Sequence, residues 1–217
     1  YFCTPIGYIF IGIFLIAFSV SFYFTVLSYG NVNYEYIFYS TPTIFVLAFL
    51  IPLLTMRSFA EERKNGTEQL LLTSPLSITK IVLGKFIAAL IVAVITAVFT
   101  LMYFAILCHY GMPQISAALA VLLGFILFVM AYISFGMLVS SITENQIIAA
   151  ILSIAFFIIT WVMPDFNYNL QSFSFINMLY KFTSAQIDIA DTVTFITFTI
   201  TCILLTIIVM QRRKSVK

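Results

Sequence analysis

Polar residues interrupt this chain rarely, and the stretches between interruptions define its elements. Six apolar runs stand out, at residues 5–27, 36–56, 87–107, 115–139, 147–163 and 192–210. An α-helix needs about 20 mostly apolar residues to cross the hydrocarbon of a bilayer. The runs match that length, the fifth being short, and they predict an all-α integral membrane protein with six transmembrane helices. Pro42 and Pro52 fall inside the second run, where proline bends a helix or opens backbone carbonyls. A bent helix could line a pathway, although proline is common in membrane helices generally.

Small residues recur at helical spacing within these runs. Ala89, Ala93 and Ala97 share a face of the third, Ala120 and Gly124 of the fourth, and Ala149 and Ser153 of the fifth. Such faces let backbones approach closely in lipid, where apolar side chains gain little by leaving the acyl chains. They read as packing surfaces. The sixth run carries Thr194, Thr197 and Thr201 on one face; threonine in a helix bonds back to its own backbone more often than it lines a path.

Charge sets the orientation. Arg57, Arg63, Lys64, Lys80 and Lys85 lie between the second and third runs. Arg212, Arg213, Lys214 and Lys217 form the tail, and only Lys181 falls on the opposite side. The positive-inside bias puts residues 57–85 and both termini in the cytoplasm, which an even number of spans requires. Aromatic residues mark the rims: Tyr1, Phe2 and Tyr8 suit the inner interface, and Tyr29, Tyr34, Tyr39, Tyr110 and Trp161 the outer one. The chain opens on Tyr1, so a missing N-terminal stretch is expected. No basic segment with a small-residue cleavage site marks a cleavable signal.

Composition closes off other classes. The 217 residues are 63% hydrophobic and 8% charged, against about 45–50% and about 25% in a soluble domain. With a mean hydropathy of +1.13, there is too little polar surface to coat a water-facing globule. A soluble enzyme, a nucleic-acid binder and a disordered chain are excluded. The net charge of +2 is too small to steer a partner from a distance. No Asp, Glu, Lys or Arg lies inside the six runs as drawn. That argues against ion-coupled transport, voltage sensing and a proton relay, which use buried ionisable groups, although backbone carbonyls alone can hold sodium.

Candidate chemistry is sparse. Cys3, Cys108 and Cys202 are far apart and read as small apolar filler. His109 is the one histidine and cannot build a metal cage unaided; it reads as an interfacial residue. No G-x-S-x-G is present for a serine nucleophile. Asp188 and Asp191 could hold a cation weakly or cap a helix start. Thr79 stands five residues before Gly84-Lys85, so there is no Walker A loop, and the energy for uphill transport would come from another polypeptide.

Residues 57–85, RSFAEERKNGTEQLLLTSPLSITKIVLGK, hold eight of the 18 charged residues. Ser58 to Asn65 has helix-forming composition, with Gly66 as its stop. Thr67 can cap a second short helix from Glu68 to Thr73, ended by Ser74-Pro75. Leu70, Leu71 and Leu72 would give that helix an apolar face. A compact helix–turn–helix flush with the membrane and an ordinary solvated loop both fit.

The same segment resembles the loop after the second span of ABC-2 type transporter permeases. It carries Glu62-Arg63-Lys64-Asn65-Gly66-Thr67-Glu68, then Leu71-Leu72-Thr73-Ser74-Pro75-Leu76-Ser77, then Gly84-Lys85. The opening Tyr1 to Phe10, the turn Ser140-Ser141-Ile142-Thr143-Glu144-Asn145-Gln146 and the tail Gln211-Arg212-Arg213-Lys214 are similar too. The branch it resembles most contains gliding-motility and nitrous-oxide-reductase-maturation permeases. The basic cytoplasmic helix that precedes the first span in that family is missing here.

The resemblance implies an ABC-2, type V exporter-like permease fold in a single transmembrane domain, residues 1–217, of a bacterial plasma membrane. It implies a second permease chain, identical or similar, and a separate ATPase subunit that binds the ATP, so this chain carries no cofactor and no catalytic residue. The loop becomes a coupling helix seated in the ATPase. Glu61, Glu62, Arg63, Lys64 and Glu68 would make its polar contacts, Leu70 and Leu71 its apolar seat, and Glu144 and Asn145 a second contact. Transport would proceed by alternating access, with export as the expected direction. Residues 164–191 form the longest outer segment, where Phe173, Ile176, Leu179, Tyr180 and Thr183 approximate a helical stripe opposite Ser174, Asn177, Lys181 and Ser184. Similar permeases have short re-entrant helices there; a packing loop is the other reading. Two rival functions remain open: an ion-coupled secondary transporter, and a non-transporting membrane scaffold or sensor.

Overall fold

The computed structural model describes residues 5–28, 33–69, 76–166 and 174–216. These residues form α1 (Pro5–Phe22), running into a π-helical turn (Tyr23–Ser28), then α2 (Glu35–Tyr39), α3 (Thr41–Thr55) and α4 (Ala60–Lys64). There follow α5 (Ile78–Tyr110), α6 (Ile115–Ile142), α7 (Gln146–Phe166), α8 (Phe175–Thr183) and α9 (Ile189–Val216). The all-α expectation holds, with no strand among the described residues.

Among the described residues five helices are long and apolar enough to cross a membrane: α1, α5, α6, α7 and α9. The second expected span is different. It is split into α2 and α3, and α3 has 15 residues, about 22 Å of helix. The cause is Pro42. A helix continuing from α2 would drive the Pro42 ring into the Phe38 carbonyl. The chain therefore turns extended at Ser40 (φ −61°, ψ 143°) and restarts with proline in the first turn of α3. Ser40 Oγ donates to the Ile37 carbonyl at 2.7 Å and lies 2.9 Å from Thr43 Oγ1, itself 3.0 Å from Ser21 Oγ on α1. Pro52 leaves α3 intact, and the Met56 amide still reaches the Pro52 carbonyl at 2.8 Å.

The third helix outruns its apolar run at 87–107. α5 starts at Ile78, where the chain was expected to begin its climb into the span, and its 33 residues are about 50 Å long. Lys80 and Lys85 do not stop it, because lysine favours helix and its ammonium can reach out of an apolar layer.

α6 is the centre of the bundle, packed by α3, α5, α7, α8 and α9. Phe125, Phe128, Val129, Ala131, Tyr132 and Ile133 on it are all fully or nearly buried. The small residues of the sequence pattern are where helices meet: Ala89, Ala93, Ala97, Ala120, Gly124, Ala149 and Ser153 are buried. A Cβ on Gly124 would lie 2.6 Å from the Phe182 ring of α8, and one on Gly136 would lie 2.9 Å from Thr55 Cβ of α3. Phe18, Tyr34, Phe38, Phe104 and Phe125 interlock rings on one side of α6, and Tyr132, Phe156, Phe157, Phe175 and Phe198 on the other.

Tyr34, expected at the outer rim, is instead fully buried, its hydroxyl 2.7 Å from Thr100 Oγ1. Its position one residue before α2 turns it under that short helix. Tyr8 is exposed, Tyr39 and Trp161 are half-buried. Tyr1, Phe2, Tyr29, Cys3 and the Tyr110 side chain lie outside the described residues. The α9 threonines bond to their own helix: Thr194, Thr197 and Thr201 each donate to the carbonyl four residues back at 2.8 Å.

α8 packs one face into the bundle. Phe175, Ile176, Met178, Leu179, Phe182 and Thr183 are buried while Tyr180 is exposed, so the inward stripe is rotated from the expected one. Ser174 is buried as the N-cap, accepting the Asn177 amide. Because Phe182 sits against Gly124, α8 reaches about 14 Å below the start of α6. Asp188 Oδ1 accepts the Ala190 amide at 3.0 Å and so caps α9. Lys181 of α8 pairs with Asp191 at 2.9 Å and with Asp188 at 3.9 Å.

Candidate functional site

Charge gathers at the end of the bundle where α3 hands the chain to α4. One hydroxyl holds that turn. Ser140 Oγ, on the last turns of α6, accepts the amides of Phe59 and Ala60 at 3.1 Å each and donates to the Met56 carbonyl at 2.9 Å. A turn has no backbone ladder of its own, so a buried side chain must satisfy these groups.

α4 places Glu61 and Glu62 in its first turn and Arg63 and Lys64 in its last, the order the helix dipole favours. It stops at Gly66, whose φ of 72° suits a residue without Cβ, as the sequence predicts. Glu62 pairs with Lys85 Nζ of α5. That ammonium also donates to the Ser58 carbonyl and sits 4.4 Å from the centre of the Phe59 ring. Residues 68–69 begin the expected second helix; Leu70, Leu71 and the rest of it lie outside the described residues.

Arg63 points back into the protein. Its Nη2 donates to the Ser141 carbonyl at 2.6 Å, and its Nη1 to the carbonyls of Thr143 at 2.8 Å and Ile142 at 3.2 Å. Arg213 of α9 donates to the same Ile142 carbonyl at 3.2 Å. The last carbonyls of a helix lack intrahelical partners and carry the negative end of its dipole, so two guanidinium groups suit the end of α6. Glu68, 8% exposed, lies between them, 3.4 Å from Arg63 Nε and 3.7 Å from Arg213 Nη1. Its charge offsets the repulsion of two adjacent cations.

A cleft of about 660 Å³ opens beside this triad, lined by Arg63, Glu68, Ile142, Glu144, Val209 and Arg212 among others. Glu144 and Asn145 are exposed on the α6–α7 turn; Asn145 Oδ1 accepts the Ile147 amide at 2.9 Å and caps α7. Lys64 is exposed and Glu61 half-buried. The structure therefore brings Glu61, Glu62, Arg63, Lys64, Glu68, Glu144 and Asn145 to one end, and divides them. Lys64, Glu144 and Asn145 face out, whereas Glu62, Arg63 and Glu68 are engaged within the chain. Ser140, Lys85 and Arg213 complete the arrangement; the sequence shows them within family-like motifs but assigns them no contact. The two helix-end basic residues look like ordinary flanking charge, and nothing in the tail predicts its return to Glu68.

Among the described residues no three His, Cys, Asp or Glu side chains converge as metal ligands. What the arrangement can do is mechanical. A short helix is tied to α5, α6 and α9, so force on it reaches three spans.

Comparison with known proteins identifies the family. A family model described as ABC-2 family transporter protein matches residues 15–210. A probable multidrug ABC transporter permease, YbhR, of Escherichia coli strain K12 is 30% identical over 118 residues, which are 54% of this chain and 32% of that protein. The protein of the same description from Escherichia coli O157:H7 matches equally. The match thus spans about a third of the length of these curated relatives. With nearly all of its helical bundle inside the family match, the chain belongs to the ABC-2 transporter family, whose members are the membrane component and not the ATPase.

Proposed function

We propose that this chain is a permease subunit of an ATP-binding-cassette transporter, worked by a separate ATPase subunit that seats on the end formed by residues 57–69, 142–145 and 209–213. The observation that carries this reading is the bracing of α4. Its exposed charges are available to a partner, while Glu62 and Arg63 fix it to α5 and α6. A floppy loop would absorb a partner's movement; a braced helix passes it on as rigid-body displacement.

The ATP is bound by the partner, since this chain has no Walker A loop. A second permease chain, identical or similar, completes the pathway, and alternating access between the two halves moves the substrate outward. Spans whose charges lie at their ends favour a lipophilic or amphipathic substrate, and the relatives' description as probable multidrug permeases points the same way. Both termini and the α4 end face the cytoplasm of a bacterial cell, by the distribution of basic residues.

The test is co-purification with an ATP-binding-cassette ATPase subunit expressed together with it. Lys64→Glu combined with Glu144→Lys reverses two exposed charges that form none of the internal ion pairs, Glu144 acting on Arg213 only from a distance. Association weakens about tenfold, from roughly half to one kcal/mol per reversed contact. Undiminished co-purification of this double variant would refute docking at this end.

A further inference from the structure

We infer that Arg63 is the positioning residue that couples the partner ATPase to the outer end of the bundle, acting through the C-terminal carbonyls of α6 rather than by touching the partner. Arg63 has this role only if the chain is worked by an ATPase, as proposed above.

The geometry points inward. Of the charged residues on α4, Arg63 is the one whose side chain is nearly covered, at 8% exposure. Its guanidinium makes contacts to the carbonyls of Ser141, Ile142 and Thr143, and these are the last residues of α6 and the first of the following turn. Glu68 then links Arg63 to Arg213, which shares the Ile142 carbonyl. Three segments far apart in sequence, residues 63–68, 141–143 and 213, thus meet at one point.

α6 makes that point useful. Its 28 residues form a rod about 42 Å long that ends among the outer helices. Gly124 on it lies against Phe182 of α8, and the Phe125 ring centre is 5.2 Å from that of Phe38 on α2. A close-packed rod cannot bend to absorb a push, so tilting its inner end must shift α2 and α8 at the other. Lysine cannot stand in for Arg63. An ammonium lacks the planar fork that reaches several carbonyls at once, so Arg63→Lys keeps the charge and loses at least one charge-assisted bond. That loss is a factor of about ten in the ratio of clamped to released loop.

The experiment is amide hydrogen exchange on the complete complex with its ATPase in lipid nanodiscs, without nucleotide and with ATP and vanadate, for the wild type, Arg63→Lys and Lys80→Ala. In the wild type, nucleotide changes exchange at residues 33–40 and 174–192. In Arg63→Lys the ATPase still co-purifies and the resting exchange of α5 to α9 is unaltered, yet the nucleotide-dependent change at those outer residues shrinks about tenfold. Lys80→Ala, exposed on α5 and outside the docking end, keeps the full change. A full response in Arg63→Lys overturns the coupling role while leaving the permease reading intact. An Arg63→Lys that loses the ATPase instead makes Arg63 a docking residue and also overturns it. A wild-type complex whose outer residues ignore nucleotide overturns the reading on which the role rests.

Discussion

Gly136 offers the sharpest test of the packing. It sits where α6 crosses the end of α3, and a Cβ there would lie 2.9 Å from Thr55 Cβ and closer still to Thr55 Oγ1. Rotating the Thr55 side chain moves the hydroxyl, which is bonded to the Ile51 carbonyl at 3.0 Å, but leaves Cβ in place. Gly136→Ala must therefore separate the helices by a few tenths of an ångström. Overpacking against an atom that cannot rotate away falls in the upper part of the usual range, about 2–3 kcal/mol, and alanine's better helix propensity returns about 1 kcal/mol. The net loss is about 1–2 kcal/mol, which lowers Tm by about 3–6 °C for a chain of this length. Thermal unfolding in detergent, followed by the fluorescence of Trp161, the one tryptophan, measures it. Thr55→Gly in the Gly136→Ala background removes every clashing atom at a helix end and should restore most of the loss. A Gly136→Ala protein as stable as the wild type, or a double variant no better than the single, would refute the close crossing.

Two further outcomes follow from the same contacts. Ser140→Ala strips the partner from two buried amides and one carbonyl and costs about 2–4 kcal/mol; exchange at residues 57–62 should accelerate with the outer helices unaffected, and unchanged protection would show that the hydroxyl does not hold the turn. Glu35, at the head of α2 outside the spanning helices, is 6% exposed, and its Oε2 has no hydrogen-bond partner among the described residues. Burial raises its carboxyl above the ordinary carboxylate range. The folded state then holds the proton more tightly than the unfolded one, so stability falls as pH rises from the unfolded pKa, about 4.3, through the folded value. Glu35→Gln should raise Tm at neutral pH and flatten that dependence, and an unchanged pH profile would sink the assignment.

The sequence disclosed the elements whose signal is local. Apolar run length located the spanning helices, the Ala89, Ala93 and Ala97 spacing located a buried face, and Gly66 located the end of α4. It misled where two local signals competed. Run length joined α2 to α3, and the steric demand of Pro42 prevailed. Lys80 and Lys85 looked like loop charge, yet helix continuity carried α5 through them. The charged loop was recognisable as a docking candidate, but its internal division was not. Arg63 and Lys64 are adjacent and equally basic, and only the fold turns one towards Ser141 and leaves the other in solvent. Arg213 and Glu68 are far apart in the chain, and no periodicity forecasts their meeting.

The hydroxyls around Ser40 give the broken span an unusual property for its surroundings. A corner in a membrane chain normally bares peptide oxygens that attract water and leak. Here Ser21, Thr43 and Ser40 direct their oxygens at one another and at Ile37, so the corner hands part of its polarity to α1. The chain can turn sharply there with these oxygens matched, and α1 becomes its chaperone: a movement of either helix is felt by the other through the shared hydroxyls.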